Sequence, residues 1–514
     1  MNQVNEVQYK ELCEACDRLL LAPDTSIERV AIPWLHVIRE HPIFLVNYVD
    51  LFQYENRFAA IGRHMFRLLR NKAAWFRQVL RASRSDGQPW FGPKDLPKQI
   101  DVIIISHLLS ASHAGQKEDF YFGNLPDELV KHGHTVLIAV INHSGQSGET
   151  LACCWGRNSV PRVVLSGSLG ISEEITFHHR QKRESARLKK MAKEETSGLV
   201  CKILARTSQE ALSGGARITL RLTTQIGTLV AKLEPKAIVV THEGHAWERN
   251  AFAAARRVIP TVRCIGYQHA ALFRLQHAIR RNLASEYNPD HILTAGLISK
   301  EQLERAPGLS GIPISVLGSN RTFKSTAGND ECRVSPGNKD QWVRNAACLV
   351  IPEGIITECL MLFRFSLACA QAYPEIQFIW RLHPLVTFES LVAQKNILRN
   401  LPKNIELSKA TLDEDTSRCG WALYRGTTAI VQAVVADLRP IYLQLPGEMT
   451  IDPLYELENW RVKVRTVPEF LNILIKDINS GICISTTEAQ NAKKYCDEFF
   501  TPFDTKVLLE AIRN

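Results

Sequence analysis

The sequence predicts an α/β protein of two parallel-sheet lobes behind a helical N-terminal extension. Three observations predict it. Short β-branched runs alternate with helical stretches from Asp101 onward, a polar, apolar-poor segment interrupts them between Asn320 and Asp340, and the same alternation then restarts. The chain of 514 residues exceeds what one hydrophobic core supports, and its 45% apolar content is enough to fill two.

Residues 1 to about 95 read as helices, with apolar residues at helical spacing through Leu12–Leu21 and Phe44–Phe52, ending in the turn-rich run Ser85-Asp86-Gly87-Gln88-Pro89. A first Rossmann-like lobe is expected over 96–322. Its strands are Val102–Ser106, Thr135–Ile141, Arg162–Leu165, Ala237–Thr241, Val262–Tyr267, His291–Thr294 and Ser315–Gly318. The stretch between the third and fourth, about 172–232, reads as a helical insertion with one Gly214-Gly215 break, either an excursion or a membrane-facing hairpin. A linker is placed at 323–340. A second Rossmann-like lobe follows over 341–490, with strands Cys348–Ile351, Phe378–Leu382, Ile405–Leu407, Trp421–Tyr424 and Pro440–Gln444. The last segment, 491–514, reads as a helix of the kind that crosses back to pack on the first lobe.

Composition narrows the function classes. No apolar run approaches the ~20 residues that span a bilayer, and the opening Met-Asn-Gln-Val-Asn-Glu carries no secretory signal, so a cytoplasmic protein is expected. The 13 cysteines are scattered through apolar patterns and read as buried thiols; Cys13 and Cys16 lack a second pair at zinc-like spacing. The net charge of +9 concentrates in Arg63–Arg84 and His178–Lys193. Both clusters read as solvated helix faces, and both are compatible with anionic substrates or peripheral contact at the inner face of the cytoplasmic membrane. No nucleic-acid partner is expected, because no recognition motif accompanies the charge.

In open parallel sheets ligands bind beyond the carboxyl ends of the strands, so the residues after each strand are the candidates. After Phe378-Ile379-Trp380 come Arg381, His383 and Pro384, where the proline turns the chain and His383 can donate to a phosphate. After Tyr424 come Gly426, Thr427 and Thr428 at a helix start, suited equally to N-capping and to binding an anion. After Ile351 come Glu353 and Gly354, a hydroxyl-binding carboxylate beside a glycine that admits a ligand, or a plain turn. In the first lobe, Ala237–Val240 leads into His242, Glu243, Gly244, His245, Glu248 and Arg249, and the next strand ends at Tyr267, Gln268 and His269. Glu243 is the candidate general base, with His242 and His269 beside it and His245, Tyr267 and Gln268 on the acceptor side; Glu248 and Arg249 read as structural. His242 and His245 have no third ligand at a recognisable spacing, so neither metal nor cofactor is expected. Dinucleotide, P-loop and nucleophile-elbow signatures are absent from the sequence.

Taken together these segments resemble the GT-B glycosyltransferases that use CMP-activated acidic sugars, the bacterial sialyltransferases and Kdo transferases of capsule and lipopolysaccharide assembly. His383-Pro384 resembles their His-Pro motif, Gly426-Thr427-Thr428 their Ser/Thr motif, and His242-Glu243-Gly244 their acidic-acidic-Gly motif, with His242 standing where the family has an acid. The run from His242 to Arg249 with Gly266-Tyr267-Gln268-His269-Ala270 also resembles surface-carbohydrate biosynthesis proteins. The resemblance covers about Asp101 to Gln444. It implies a metal-independent transferase with a CMP-sugar donor and a glycan or lipid-linked acceptor, in which His383, Thr427 and Thr428 hold the departing phosphate and Glu243 receives the acceptor proton. A CDP-glycerol-type polymerase, a UDP-sugar 2-epimerase or transferase, and an inactive scaffold of polysaccharide assembly remain as alternatives.

Overall fold

The computed structural model describes residues 3–53, 57–93, 95–155, 160–196, 198–321, 347–384, 386–395, 398–480 and 487–513. The linker expected at 323–340 lies outside the described residues.

Two sheets organise the chain. The first has eight strands in the order β1-β4-β3-β2-β5-β6-β7-β8: β1 (Trp90–Phe91), β2 (Val102–Leu108), β3 (Val136–Asn142), β4 (Arg162–Leu165), β5 (Ala237–Thr241), β6 (Arg263–Gln268), β7 (His291–Thr294) and β8 (Ile314–Val316). All pair in parallel except β1, which runs antiparallel to β4. The second has six parallel strands in the order β11-β10-β9-β12-β13-β14: β9 (Ala347–Ile351), β10 (Gln377–Trp380), β11 (Ile405–Leu407), β12 (Trp421–Tyr424), β13 (Arg439–Leu443) and β14 (Val462–Val464). Two parallel-sheet α/β lobes in tandem are therefore the architecture, as expected. Central runs such as Val102–Ile105 and Ala237–Thr241 are buried at every residue, because helices cover both faces of a parallel sheet. Truncating one of these buried Ile or Val side chains costs about 1–4 kcal/mol of transfer and cavity energy.

Two strands differ from the sequence expectation. Trp90–Phe91 extends the edge of the first sheet from within the segment read as helical, and Val462–Val464 extends the second. Both are too short for a period-2 pattern to register.

The segment at 172–232 forms three helices, Ile171–Glu194, Gly198–Glu210 and Gly214–Leu233. They share a core with the N-terminal helix Glu6–Leu20, in which Leu12, Cys16 and Leu35 meet Phe177, Leu188, Ile203 and Leu220. The N-terminal extension and the insertion thus form one helical body on the first lobe. The same core reaches Met449, and residue 41 meets Glu353, so the extension also touches the second lobe. Helix Thr487–Asp497 packs on the second lobe, and the closing helix Thr505–Arg513 buries Leu508, Leu509 and Ile512 in the first lobe's core. Among the described residues no helix is long and apolar enough to cross a membrane.

Candidate functional site

In each sheet the strand order reverses beside its first long parallel strand, between β2 and β5 in the first lobe and between β9 and β12 in the second. Such switch points open crevices at the carboxyl ends of the strands.

In the second lobe Ile351 pairs with Tyr424, so the loops leaving β9 and β12 must touch. They touch through glycines. A Cβ on Gly426 would stand 2.8 Å from Glu353 Oε1, and one on Gly354 would stand 2.7 Å from His383 Nδ1. Glu353, Gly354, His383 and Gly426, from three segments of chain, therefore form one contact cluster. Glu353 is 10% exposed, and His41 of the N-terminal extension, wholly buried, places Nε2 2.6 Å from Glu353 Oε1. Thr427 is buried, and its Oγ1 accepts from the Ala429 N–H at 3.3 Å. Thr428 opens a helix of seven residues, Ala429–Val435, without a side-chain cap, so capping falls to Thr427. Pro384 is exposed directly after His383.

Arg381 is partly committed: its Nη1 donates to the Ala410 carbonyl at 2.7 Å and to Asp415 Oδ2 at 2.8 Å, which clamps the loop after β10, and the side chain keeps 27% exposure. Arg425, between the candidates at 424–428, is buried and paired with Glu358 and Glu448, each at 2.7 Å.

In the first lobe Gly244 adopts φ +87°, where a Cβ would also lie 2.3 Å from the Ala278 carbonyl carbon; only glycine serves there. The turn is held from within. Glu248 Oε2 accepts the backbone N–H groups of Glu243, Gly244 and His245 at 2.9, 2.7 and 2.9 Å, while Arg249 donates to Asn288 Oδ1 and to the Ala278 and Arg281 carbonyls. Glu248 and Arg249 are structural.

Three candidates in this lobe are taken up by the fold. His242 is wholly buried, its ring against Gly266 and Phe252 and its Nδ1 3.2 Å from Glu248 Oε2, because the inward-facing register after β5 points it into the sheet. Tyr267 is buried within β6 and its hydroxyl donates to the Gly318 carbonyl at 2.9 Å. Gln268 is buried too, its amide donating to the Ala270 carbonyl. These corrections leave Glu243, His245 and His269 as the candidates of this lobe whose side chains are at least partly exposed.

Glu243, 19% exposed, lies 3.4 Å from His245 Nε2. Burial pushes its carboxyl up, but the His245 bond and the charge of Arg39 outweigh burial and hold it well below the ordinary range. Burial pulls His245 down, and Glu243 and Glu248 more than restore it. The pairing therefore favours the carboxylate of Glu243 and the protonated form of His245. His269, edge-on to Tyr121 at 4.4 Å, is pushed down to about 4, chiefly by burial.

Several residues lacked a sequence signal. His107 at the end of β2 and His143 just past β3 pair at 2.9 Å, and His107 packs edge-on against Trp247 and Tyr121. They sit at strand ends, so inspecting β2 and β3 as β5 and β6 were inspected would have found them. Arg39 and His41 lie in the helical extension, where no strand-end rule applies. Burial is the main cause that lowers His269 and His383, and the charge of Arg321, just past the first sheet, adds to it at both. His41, Glu353 and Glu358 bring ligand atoms within 4.8 Å of one another, a set able to hold a cation, but Arg425 already supplies Glu358 with a positive partner.

No family model matches the chain, and no curated protein matches it by sequence. Solved structures match over most of its length at low identity. The glycotransferase of kitacinnamycin has 10% identity, covers 81% of this chain and 100% of its own, and has a TM-score of 0.47. A putative UDP-N-acetylglucosamine 2-epimerase from Listeria monocytogenes has 12% identity, covers 80% and 96%, and has a TM-score of 0.46. The MurG of Acinetobacter baumannii has 10% identity, covers 80% and 99%, and has a TM-score of 0.43. Matches this distant do not bear on what the chain does.

Proposed function

We propose that the chain is a nucleotide-sugar glycosyltransferase that moves an acidic sugar, of the Kdo or sialic acid kind, from a CMP-activated donor to a cell-surface glycan or lipid-linked acceptor. The observation that carries this reading is the convergence of Glu353, Gly354, His383 and Gly426 at the switch point of the second lobe. At Gly354 and Gly426 the space a Cβ would take is filled by the His383 ring and the Glu353 carboxylate, which sets both side chains close against the loops; Glu353 can accept from a ribose hydroxyl, and His383 can donate to a phosphate oxygen.

The acceptor hydroxyl oxygen attacks the anomeric carbon as the bond from that carbon to the phosphate oxygen breaks; the hydroxyl proton passes to Glu243, and CMP departs with its new charge met by His383. Burial, opposed by Glu353 and aided by Arg321, holds the His383 imidazole below its usual range, and an arriving phosphate favours its protonated form. A carboxylate as acidic as Glu243 is a weak base. The resemblance of His383-Pro384, Gly426-Thr427-Thr428 and His242-Glu243-Gly244 to the motifs of CMP-sugar transferases is what supports an acidic donor.

The test is transfer from CMP-sialic acid and CMP-Kdo to lipopolysaccharide or capsular acceptors, with a thermal-shift panel of CMP, CDP, UDP and GDP beside it. Protection by CMP and transfer by the wild type alone are expected. Protection by UDP with no CMP effect would move the assignment to a UDP-sugar epimerase or transferase.

A further inference from the structure

We propose that the helix Arg57–Ala82 is a docking surface for an anionic lipid bilayer. The helix has 26 residues, about 39 Å of length at 1.5 Å per residue. Its polarity is inverted relative to a helix that covers a soluble core. The side facing the protein is polar: Asn71 donates to the Gln209 carbonyl at 3.3 Å, Gln78 to the Gly167 carbonyl at 3.2 Å, Arg67 pairs with Asp50, and Trp75 stacks on His178 at 4.3 Å with Arg217 over its other face. The side facing outward is apolar but for Lys72, which stands near one edge of it. Ile61, Met65, Phe66, Leu69, Phe76 and Leu80 are 44–67% exposed, and their spacing lines them along one stripe about 140° wide. Among the described residues nothing covers this stripe.

Charge beside the stripe selects the occupant. Arg70, Arg77 and Arg81 fall along one flank of it, and among the described residues none of them, nor Arg84, forms an ion pair. Arg77, Arg81 and Arg84 also line a cavity of about 920 Å³ against the ends of β3 and β4, opposed there by Asp86 and Glu149. An apolar stripe with basic residues at its margin matches the interface of an anionic bilayer, with the aromatic and aliphatic side chains in the acyl boundary and the guanidinium groups at headgroup phosphates. A second copy of the chain would have to bring acidic residues to the same margin, and the helix itself carries none between Arg57 and Ala82. The helix lies on the membrane and does not span it, since no described helix is long and apolar enough to cross.

The inference rests on this helix alone and stands apart from the nucleotide site. Full-length protein is sedimented with vesicles of phosphatidylcholine, with and without phosphatidylglycerol, and its lipid-free mass is measured by sedimentation velocity. Binding to the phosphatidylglycerol vesicles is expected, weakening as salt is raised, with roughly tenfold or greater loss in the double variant Phe66→Glu, Leu69→Glu. The variant Arg70→Glu, Arg77→Glu, Arg81→Glu is expected to lose the preference for phosphatidylglycerol. Far-ultraviolet circular dichroism and the melting temperature report that each variant is folded. Protein that stays in the supernatant with both vesicle types, or a lipid-free dimer that the Phe66 and Leu69 substitutions dissociate, overturns the proposal.

Discussion

His383 is the residue on which the proposed chemistry turns, and its proton sets the pH dependence. Burial depresses it and a bound phosphate favours its protonated form, so nucleotide binding is expected to take up a proton. CMP affinity is therefore expected to rise as pH falls from 8 toward 6 and to lose that slope in His383→Gln; calorimetry in two buffers of different ionisation enthalpy measures the proton directly. In the proposed reaction Glu243 acts at the other end. Glu243→Gln is expected to lower kcat by roughly a hundredfold or more while leaving the CMP affinity near wild type, because the donor is held from the other lobe. Equal loss of both parameters would place Glu243 in donor binding instead.

At the scale of elements, the site is made by loops that only particular glycines permit. Gly354→Ala sets a methyl 2.7 Å from His383 Nδ1, and since a histidine ring can swing aside, the expected result is a small change in melting temperature with a marked loss of CMP affinity. Gly244→Ala must contend with φ +87° and with the backbone of Ala278 at 2.3 Å. Neither can yield cheaply, so thermal unfolding is expected to drop by several degrees, corresponding to about 1–3 kcal/mol.

The elements also explain how much could be read in advance. Strands such as Ala237–Thr241 and Trp421–Tyr424 announce themselves because parallel strands buried on both faces are continuous apolar runs, and the strand-end rule then points to His383, Gly426, Glu353 and Glu243. The rule says which residues follow a strand but not which way each side chain turns. Tyr267, Gln268 and His242 face inward and Arg381 is drawn to Asp415, all outcomes of packing that no local pattern encodes. Arg39 and His41 were illegible for the opposite reason, since their contacts with the site span some 200–300 residues of chain.

For the whole molecule, the N-terminal extension reaches the second lobe through His41 and Glu353, and its stability carries a histidine signature. His36 is wholly buried, its Nε2 2.7 Å from the Val30 carbonyl, and burial depresses it from its ordinary 6.5 to about 4. A histidine depressed in the folded state favours folding fully above pH 6.5 and loses that contribution as pH falls from 6.5 toward 4, roughly 3 kcal/mol in all. Buried Glu40 and Asp119, pushed up by burial, act in the opposite sense, so the contribution is isolated by a variant. His36→Gln is expected to flatten the dependence of the melting temperature on pH between 6.5 and 4.

The central claim, that the switch point of the second lobe holds a nucleotide leaving group, is tested most directly by titrating CMP into the wild type and into His383→Ala in a calorimeter. Saturable one-site binding by the wild type, weakened about a hundredfold or more in a variant with unchanged melting temperature, is the predicted result. The absence of nucleotide binding, or binding that His383→Ala leaves intact, would contradict it.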